Sequence, residues 1–306
     1  MSQRATRNRT LTLSEDELSR LRPALLHLDK PASLETVLDQ VVCQDMAAAS
    51  PYLPAASADV LLLDPPYNLD KTFGSERFRQ RSPAAYVAWA EDWLTPLLRL
   101  LKPTASVYVC ADWRTSAALF PLLERHFIVR NRITWERDKG RGARTNWKQN
   151  AEDIWFCTVG DSYTFNVDAV KLKRRVRAPY RDPERQPKDW IEEQGERYRL
   201  THPSNLWTDI TVPFWSMPEN TDHPTQKPEK LVARLLLASS NAGDVVLDPF
   251  LGSGTTAVVA RKLGRRFIGI EIDPHYACLA LKRLALAHED KSIQGYRDGV
   301  FFERNS

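Results

Sequence analysis

The apolar run at residues 60–63 stops abruptly at Asp64-Pro65-Pro66-Tyr67. Proline fixes φ and cannot donate the next ladder hydrogen bond, so the pattern predicts a buried strand that ends at Asp64. In an open parallel sheet, ligands bind outside the carboxyl ends of the strands. We therefore expect Asp64 and Tyr67 at a ligand-binding edge, although a simple turn with the tyrosine packed over it explains these four residues equally well.

Strand and helix patterns alternate along the first half of the chain. Apolar residues recur with a helical period over 84–101, and buried-strand patterns occupy 107–110, 127–136 and 153–159. This alternation predicts an α/β fold, in which a doubly wound, mostly parallel sheet carries helices on both faces. The length of 306 residues exceeds that of a usual domain and leaves room for an inserted lobe.

The composition excludes several classes of protein. Hydrophobic residues make up 42% of the chain, which is enough for a large core. The four cysteines are far apart, so neither a disulfide framework nor a metal site is expected. No apolar stretch approaches the roughly 20 residues that span a bilayer, and the polar start of the chain lacks the apolar core of a signal peptide. We expect a soluble, cytoplasmic protein that binds no membrane.

Two stretches concentrate positive charge, whereas the whole chain carries a formal charge of only +4. Residues 171–188 contain eight basic and two acidic side chains, and residues 130–148 contain seven and two. A run of charge is often only a solvated face, so the charge alone leaves nucleic-acid binding open. At the start of the chain, residues 1–13 have the pattern of a flexible arm, and Ser14 has that of a helix cap.

The last third of the chain contains a second candidate ligand site. A strand pattern at 245–248 ends in Asp248 and is followed by a turn with Gly252 and Gly254, and then by a helix. Glycines in such a turn permit positive φ and close approach of a ligand to the first helix amides. The next strand ends at Glu271, 23 residues beyond Asp248, near the spacing at which a carboxylate binds two ribose hydroxyls. These features predict an adenosine ligand, and S-adenosylmethionine suits them because it carries a cationic sulfonium and no phosphate.

Three motifs resemble those of the amino-group DNA methyltransferases of the β arrangement, in which the catalytic motif precedes the cofactor motif. In chain order they are Asp64-Pro65-Pro66-Tyr67-Asn68, His223-Pro224-Thr225-Gln226-Lys227-Pro228 and Leu247-Asp248-Pro249-Phe250-Leu251-Gly252-Ser253-Gly254-Thr255. The resemblance spans residues 40–285. Minor matches are Trp135, the Lys139-Gly140-Arg141-Gly142 loop, and Asn150 with Glu152. Cys43-Gln44-Asp45 departs from the Gly-Asp pair that is common in this family.

This resemblance implies a circularly permuted Rossmann-like methyltransferase sheet, mixed but mostly parallel, with a small inserted target-recognition lobe. The strands at 245 and 266 would lie beside those at 41 and 60, so the cofactor turn and the tetrad would meet at one edge. The implied segments are an N-terminal arm and helix (1–32), the catalytic half (33–160), the target recognition region (161–221), the cofactor-binding half (222–290) and a C-terminal tail (291–306).

The resemblance also implies roles for individual residues. Of the catalytic residues Asp64, Pro65, Pro66 and Tyr67, Asp64 and the Pro65 carbonyl would accept the two hydrogens of an exocyclic base amine. Tyr67 would stack on the base after it leaves the duplex, and Phe73 would help to form that pocket. The residues implied at the cofactor are Asp45, Asp64, Thr225, Gln226, Lys227, Asp248, Phe250, Gly252, Ser253, Gly254, Thr255 and Glu271, with Lys227 at its carboxylate. The residues implied at DNA are Lys139, Arg141, Arg144, Lys148, Arg174, Arg175 and Arg177.

The implied substrate is double-stranded DNA. A homodimer and a cognate restriction endonuclease, as a functional partner, are compatible with the resemblance. The aspartate of the tetrad favours adenine N6 as the target, with cytosine N4 as the main alternative. A protein glutamine methyltransferase is less favoured, because those enzymes usually place the cofactor glycines before the tetrad. A DNA-binding module without catalysis is also less favoured, because Asp64, Tyr67, Gly252 and Glu271 are all present.

Overall fold

The computed structural model describes residues 7–73, 76–137, 145–176, 181–186, 190–193 and 195–303. Short 3₁₀ helices lie at Arg22–Ala24, Ser50–Tyr52 and Val167–Val170. The α-helices are α1 (Glu15–Leu21), α2 (Leu34–Val37), α3 (Met46–Ala49), α4 (Pro83–Leu98), α5 (Trp113–His126), α6 (Glu229–Ser239), α7 (Thr255–Lys262) and α8 (Pro274–Glu289). The strands are β1 (Gln40–Cys43), β2 (Ala58–Leu63), β3 (Lys71–Phe73), β4 (Glu76–Phe78), β5 (Leu101–Ala111), β6 (Ile128–Glu136), β7 (Ala151–Thr158), β8 (Leu172–Arg175), β9 (Ile191–Glu193), β10 (Glu196–Thr201), β11 (Leu206–Trp207), β12 (Val245–Asp248), β13 (Arg266–Glu271), β14 (Tyr296–Arg297) and β15 (Val300–Phe302).

Eight of these strands form the main sheet, in the order β1-β13-β12-β2-β5-β7-β6-β11. The first five strands in this order pair in parallel with their neighbours, and β7 runs antiparallel to both β5 and β6. The predicted mixed, mostly parallel and permuted sheet is therefore confirmed. Within the described ranges, no helix is long and apolar enough to cross a membrane.

The order of the strands brings the two halves of the chain to one edge. β12 lies between β2 and β13, with Leu247 opposite Leu61 and Asp248 opposite Gly269. At the end of the sheet, Cys43 of β1 pairs with Glu271 of β13. Since neighbouring parallel strands end together, Asp64, Asp248 and Glu271 all lie at the carboxyl edge, as the sequence predicted.

Apolar layers cover both faces of the sheet. Side chains alternate along β2, so Val60 and Leu62 pack toward α6 and α7, whereas Leu61 and Leu63 pack toward α4 and α5. Burial of each such side chain contributes about 1.5–3 kcal/mol. β2 is thus fixed from both faces, and the position of Asp64 at its end is fixed with it.

The inserted region contains a second sheet, in the order β14-β15-β8-β10-β9. Two of its strands come from residues 296–302, because β15 pairs in parallel with β8 and the buried Phe301 lies opposite Leu172. The C-terminal segment expected as a separate tail is therefore part of the sheet of the insertion. A local sequence pattern did not predict this pairing, because the two strands are more than a hundred residues apart.

The start of the chain is also more ordered than expected for a flexible arm. The Arg9 amide donates to the carbonyl oxygen of Trp215 at 2.7 Å, and the Leu11 amide donates to that of Asn220 at 2.8 Å. The cap at Ser14 is confirmed, since its hydroxyl accepts from the Glu17 amide at 3.2 Å. Residues 9–11 thus line the loop that leads into α6.

Candidate active site

The Asp-Pro-Pro-Tyr tetrad is held by α4 and α5 in a fixed turn at the end of β2. The buried Tyr86 donates its hydroxyl to the Pro66 carbonyl oxygen at 2.9 Å. The Asn68 amide donates to Thr115 Oγ1 at 3.0 Å, and the Asn68 side chain accepts from the Arg81 amide at 2.7 Å. These bonds come from three other segments of the chain, so they fix the backbone of the tetrad before any ligand binds.

Five side chains meet at this turn, and we call them the tetrad cluster: Asp64, Tyr67, Arg137, Glu152 and Lys227. Lys227 Nζ donates to both oxygens of Asp64, at 2.6 and 2.7 Å, and to the Tyr67 hydroxyl at 3.1 Å. It also lies 3.4 Å from Glu152 Oε2. The resemblance placed Lys227 at the cofactor carboxylate, whereas in this structure it lies on the acceptor proposed for the target amine.

Glu152, a minor match to the family pattern, is a site residue whose role the sequence did not predict. Its side chain is only 4% exposed, accepts from the Tyr67 hydroxyl at 3.1 Å and forms an ion pair with Arg137. Tyr67 has one hydroxyl hydrogen, so it donates to either Asp64 or Glu152 at any moment. Glu152 reaches the edge because β7 is antiparallel, which puts the beginning of that strand beside the ends of the others. The match of Glu152 to the family pattern was the available signal.

Electrostatics keeps the tetrad cluster charged and compact. Burial acts to lower the pKa of Lys227, but the nearby Asp64 and Glu152 outweigh it and raise that pKa above the ordinary lysine value. Burial, reinforced by Asp64, raises the pKa of Tyr67 well above its usual range, so the phenol keeps its proton. Asp64 and Glu152 therefore face Lys227 and Arg137 in a mostly buried region, and the half-buried Lys71 lies nearby.

The cofactor turn between β12 and α7 depends on its glycines. Gly252 has φ +54°, and its amide donates to Glu271 Oε2 at 2.7 Å. Gly254 has φ +84°, and a Cβ at that position would lie 2.6 Å from Ala280 Cβ. Any larger residue would push α8 away, so the turn predicted from the sequence has the expected positive φ and close packing.

The buried Asp248 and the half-buried Glu271 are acids beside this turn. Asp248 accepts from the Phe250 amide at 3.0 Å, and Glu271 also accepts from the Asp273 amide at 2.9 Å. Burial raises the pKa of each carboxyl to about 7. Within the described ranges, neither has an ion-pair partner. Buried acceptors without a cation suit a ligand with hydroxyl donors and a positive charge, so these residues fit S-adenosylmethionine.

Several other side chains expected at the cofactor bond within the protein instead. The buried Arg283 donates to the Ser253 carbonyl oxygen at 3.0 Å and to Thr255 Oγ1 at 2.9 Å. Gln226 accepts from the Thr221 amide at 2.9 Å and donates to the Glu219 carbonyl oxygen at 2.7 Å. These bonds occur because a buried polar side chain must find a partner, and the cofactor role of Ser253, Thr255 and Gln226 stays a prediction.

The region after β1 gives a similar result. Asp45 accepts from the Ala47 and Ala48 amides, at 2.9 and 3.1 Å, and caps α3. Gln44, which stands where the family often has glycine, exchanges hydrogen bonds with the Leu28 backbone. Phe250 packs edge-on against Trp93 with the ring centroids 5.2 Å apart. The cofactor role of Asp45 and Phe250 stays a prediction.

The segment at 221–228 connects the turn with the tetrad cluster. A Cβ on Gly252 would lie 3.1 Å from His223 Nε2, so the imidazole packs directly on the turn. Burial lowers the pKa of His223 to about 4, which leaves the ring neutral near pH 7. Thr225 lies between His223 and Lys227 and donates its amide to His223 Nδ1 at 3.4 Å. Lys227 is therefore carried by a segment that contacts both halves of the site.

The basic residues of the insertion are paired with acids. Arg174 contacts Glu303 and Arg175 contacts Glu196, each at 3.1 Å, and Lys173 pairs with Glu193. The charge excess counted over 171–188 is thus reduced by acids from β9, β10 and the C terminus, which is a correction to the view of a strongly basic lobe. Lys148 is half-buried near the start of β7. The expected DNA contacts Lys139, Arg141, Arg144 and Arg177 lie outside the described residues, as does the side chain of Phe73.

Comparisons with known proteins agree with this geometry. Residues 58–282 match the family model described as DNA methylase. The chain is 34% identical over 258 residues to the DNA adenine methyltransferase YhdJ of Escherichia coli K12, covering 81% of this chain and 83% of that protein. It is 32% identical over 251 residues to the type II methyltransferase M.HpaI of Haemophilus parainfluenzae, covering 81% and 74%. A solved structure described as the PvuII DNA methyltransferase (cytosine-N4-specific) aligns with a TM-score of 0.60 at 17% identity, covering 80% of this chain and 85% of that one. That identity shows a shared fold alone.

Proposed function

Because the chain belongs to the DNA methylase family, whose cofactor is S-adenosylmethionine, we propose that it transfers a methyl group to adenine N6 within a specific duplex sequence. The observation that carries the proposal is the position of Asp64. This acceptor lies at the same sheet edge as Asp248 and Glu271, and it already binds a nitrogen donor, Lys227 Nζ, at 2.6 Å.

The residues of the chain account for the chemistry of such a transfer. S-adenosylmethionine supplies a methyl group on a cationic sulfonium, which leaves as a neutral thioether. Asp64 accepts a hydrogen of the exocyclic amine, and this bond localises the nitrogen lone pair toward the methyl carbon. After the nitrogen–carbon bond forms, the nitrogen is cationic, and Asp64 and Glu152 stabilise that charge until the surplus proton leaves.

The target base must leave the duplex, because its amine is otherwise paired and cannot reach the sheet edge. Tyr67 is the proposed stacking surface, and its hydroxyl bonds to Asp64 and Glu152 fix the plane of its ring. Removal of a carboxylate partner would free the ring to turn. Held in one orientation, the ring selects one orientation of the base and hence one distance between the amine and the methyl carbon.

Two observations favour adenine over cytosine. The first residue of the tetrad is aspartate, which is associated with adenine targets, whereas serine or threonine is more frequent among enzymes that act on cytosine N4. The Escherichia coli relative, 34% identical to this chain, is named a DNA adenine methyltransferase.

Nucleoside analysis tests the target directly. Plasmid DNA from cells that express the protein is digested to nucleosides and analysed by mass spectrometry, with cells that express Asp64→Ala as the control. We expect N6-methyladenine in the wild-type sample and not in the control. N4-methylcytosine as the sole product would overturn the adenine assignment, and methylation that persists in the Asp64→Ala sample would contradict the assigned site.

The proposal extends to the setting of the reaction. The Haemophilus relative is named a type II methyltransferase, which supports a role in protecting DNA against a cognate restriction endonuclease. The proposed substrate lies in the bacterial cytoplasm, where we expect the protein to act. A homodimer stays a prediction, and light scattering of the purified protein measures it.

A further inference from the structure

Lys227 occupies the position that the target amine needs. Its ammonium lies in front of the Asp64 carboxylate and donates to both oxygens, at 2.6 and 2.7 Å. The ammonium donates its third hydrogen to the Tyr67 hydroxyl at 3.1 Å, and the lysine side chain is only 8% exposed. Each of the three N–H groups of the ammonium thus has an acceptor oxygen. The arrangement is therefore a complete binding site for a cationic nitrogen.

This arrangement is incompatible with methyl transfer. A base amine that donates to Asp64 has to enter the same space in front of the carboxylate. The amine also becomes positively charged as the methyl group arrives, and a neighbouring ammonium would repel that charge. Lys227 must therefore leave Asp64 before the reaction, which removes one positive charge from beside the two carboxylates and so favours the cationic nitrogen, while Arg137 and Lys71 stay nearby.

Lys227 is placed to respond to the cofactor. The residue lies on the segment at 221–228, whose His223 ring packs on the cofactor turn at Gly252. The lysine has four methylene groups, so its ammonium can exchange acceptors without a change in the backbone. Within the described residues, the other carboxylate of the cluster is Glu152, which pairs with Arg137 and already lies 3.4 Å from the ammonium, so it is not a separate acceptor to which Lys227 can withdraw.

We propose that Lys227 is a positioning residue that holds the amine site closed until the carboxylate of bound S-adenosylmethionine draws its ammonium away from Asp64. This inference rests on the proposed function. The site then binds cofactor and target base in order, cofactor first. Since coupling between two ligands is reciprocal, a captured base also tightens the binding of a cofactor that carries the carboxylate.

The test measures base capture rather than methyl transfer. The duplex contains 2-aminopurine next to the target adenine, previously located by sequencing methylated DNA, and extrusion of the adenine unstacks this neighbour and raises its fluorescence. Wild-type protein is titrated alone, with S-adenosylhomocysteine and with methylthioadenosine, both at saturation. The two compounds share the thioether nucleoside, and only the first has the amino-acid carboxylate.

We expect S-adenosylhomocysteine to tighten capture of the base by about 5-fold or more relative to methylthioadenosine, within the usual range of coupling between two sites. Lys227→Met, which keeps the length of the side chain without its charge, should capture the base equally with either compound. Lys102→Met is the matched control, because Lys102 pairs with Asp59 at the opposite end of β2. It should respond like the wild type.

Equal capture by the wild type with the two compounds would overturn the inference, even if Lys227→Met failed to fold. A carboxylate requirement that persists in Lys227→Met would overturn it as well. Detection of the methylated nucleoside tests the proposed function separately. If methylated product forms but the two compounds give equal capture of the base, only the proposed role of Lys227 is refuted. If wild-type samples contain no methylated base, the proposed function is refuted.

Discussion

Two pairs of carboxylates lie at the same edge of the sheet, and they differ in their counterions. Asp64 and Glu152 are paired with Lys227 and Arg137, which come from the chain itself. Asp248 and Glu271 have backbone amides as partners and pKa values raised by burial to about 7. The second pair becomes fully charged when a ligand brings donors and a cation. The acceptor for the target amine, Asp64, is therefore occupied by the ammonium of Lys227. Asp248 and Glu271, at the cofactor turn, are instead suited to bind the cation of a ligand.

The largest expected effect comes from removing the acceptor in the first pair. Asp64→Asn should lower the rate of methyl transfer by about 10²- to 10³-fold or more, because one preorganised acceptor of the amine is lost. Binding of S-adenosylhomocysteine should be retained and become tighter, because Asp248 and Glu271 are unchanged and Lys227 no longer has to leave a carboxylate. Single-turnover transfer of a labelled methyl group measures the rate, and calorimetry measures binding.

The control for this substitution is Asp59→Asn, at the other end of β2, where the carboxylate pairs with Lys102 away from the edge. Its transfer rate should match that of the wild type. Full activity of Asp64→Asn would show that the carboxylate does not bind the amine. The proposed division between an amine-binding pair and a cofactor-binding pair of carboxylates would then be wrong.

The second effect is on stability. Glu152→Gln leaves Arg137 without its buried partner and Lys227 with one carboxylate fewer, so the free energy of unfolding should fall by about 3 kcal/mol. Chemical denaturation followed by fluorescence measures this change. Glu91→Gln is a suitable control, because its partner Arg125 is well exposed and surface pairs contribute less than about 1 kcal/mol. An equal loss of unfolding free energy in the two variants would show that the pair made by the buried Glu152 is no more stabilising than an exposed pair.

The third effect is a pH dependence of cofactor binding. Burial raises the pKa values of Asp248 and Glu271 to about 7 in the folded protein from ordinary values of 3.8 and 4.5, so the folded state retains protons that the unfolded state has released. Stability from this source is fully present at low pH and is lost as the pH rises toward 7. A ligand that binds the ionised carboxylates reverses the preference, so its affinity should rise with pH.

We expect the dissociation constant of S-adenosylhomocysteine to fall by about 100-fold between pH 6 and pH 8, about tenfold for each carboxyl that must release its proton. Glu271→Gln should reduce this change to about tenfold, and calorimetry in buffers of different ionisation enthalpy counts the protons. A wild-type affinity that is constant over this range would show that these carboxyls are not protonated before binding.

The smallest effect is expected in the insertion. Arg174 and Arg175 are paired with Glu303 and Glu196, so the double variant Arg174→Ala/Arg175→Ala should weaken DNA binding by less than about threefold. The slope of log affinity against log salt should change by less than about one. A loss of two units in that slope would show that both arginines exchange their acids for phosphates.

The sequence predicted the fold and the convergence of Asp64, Asp248 and Glu271, because strand endings are local signals and neighbouring parallel strands end at one edge. It missed the role of Glu152, because an antiparallel β7 is not distinguishable from a parallel strand by its residues. The partner of Arg174 was equally hidden, since Glu303 is 129 positions away. The contact of Lys227 with Asp64 was not predicted, because a long cationic side chain has several acceptors within reach and only the folded geometry selects one.

The most direct measurement is a crystal structure of the protein with sinefungin, which has both the amino-acid carboxylate and a cationic amine near the position of the sulfonium methyl. The account predicts that Lys227 Nζ lies more than about 4 Å from Asp64 and within hydrogen-bond distance of the ligand carboxylate, while Glu271 accepts from the ribose. Sinefungin bound at the turn with Lys227 still donating to both oxygens of Asp64 would contradict it.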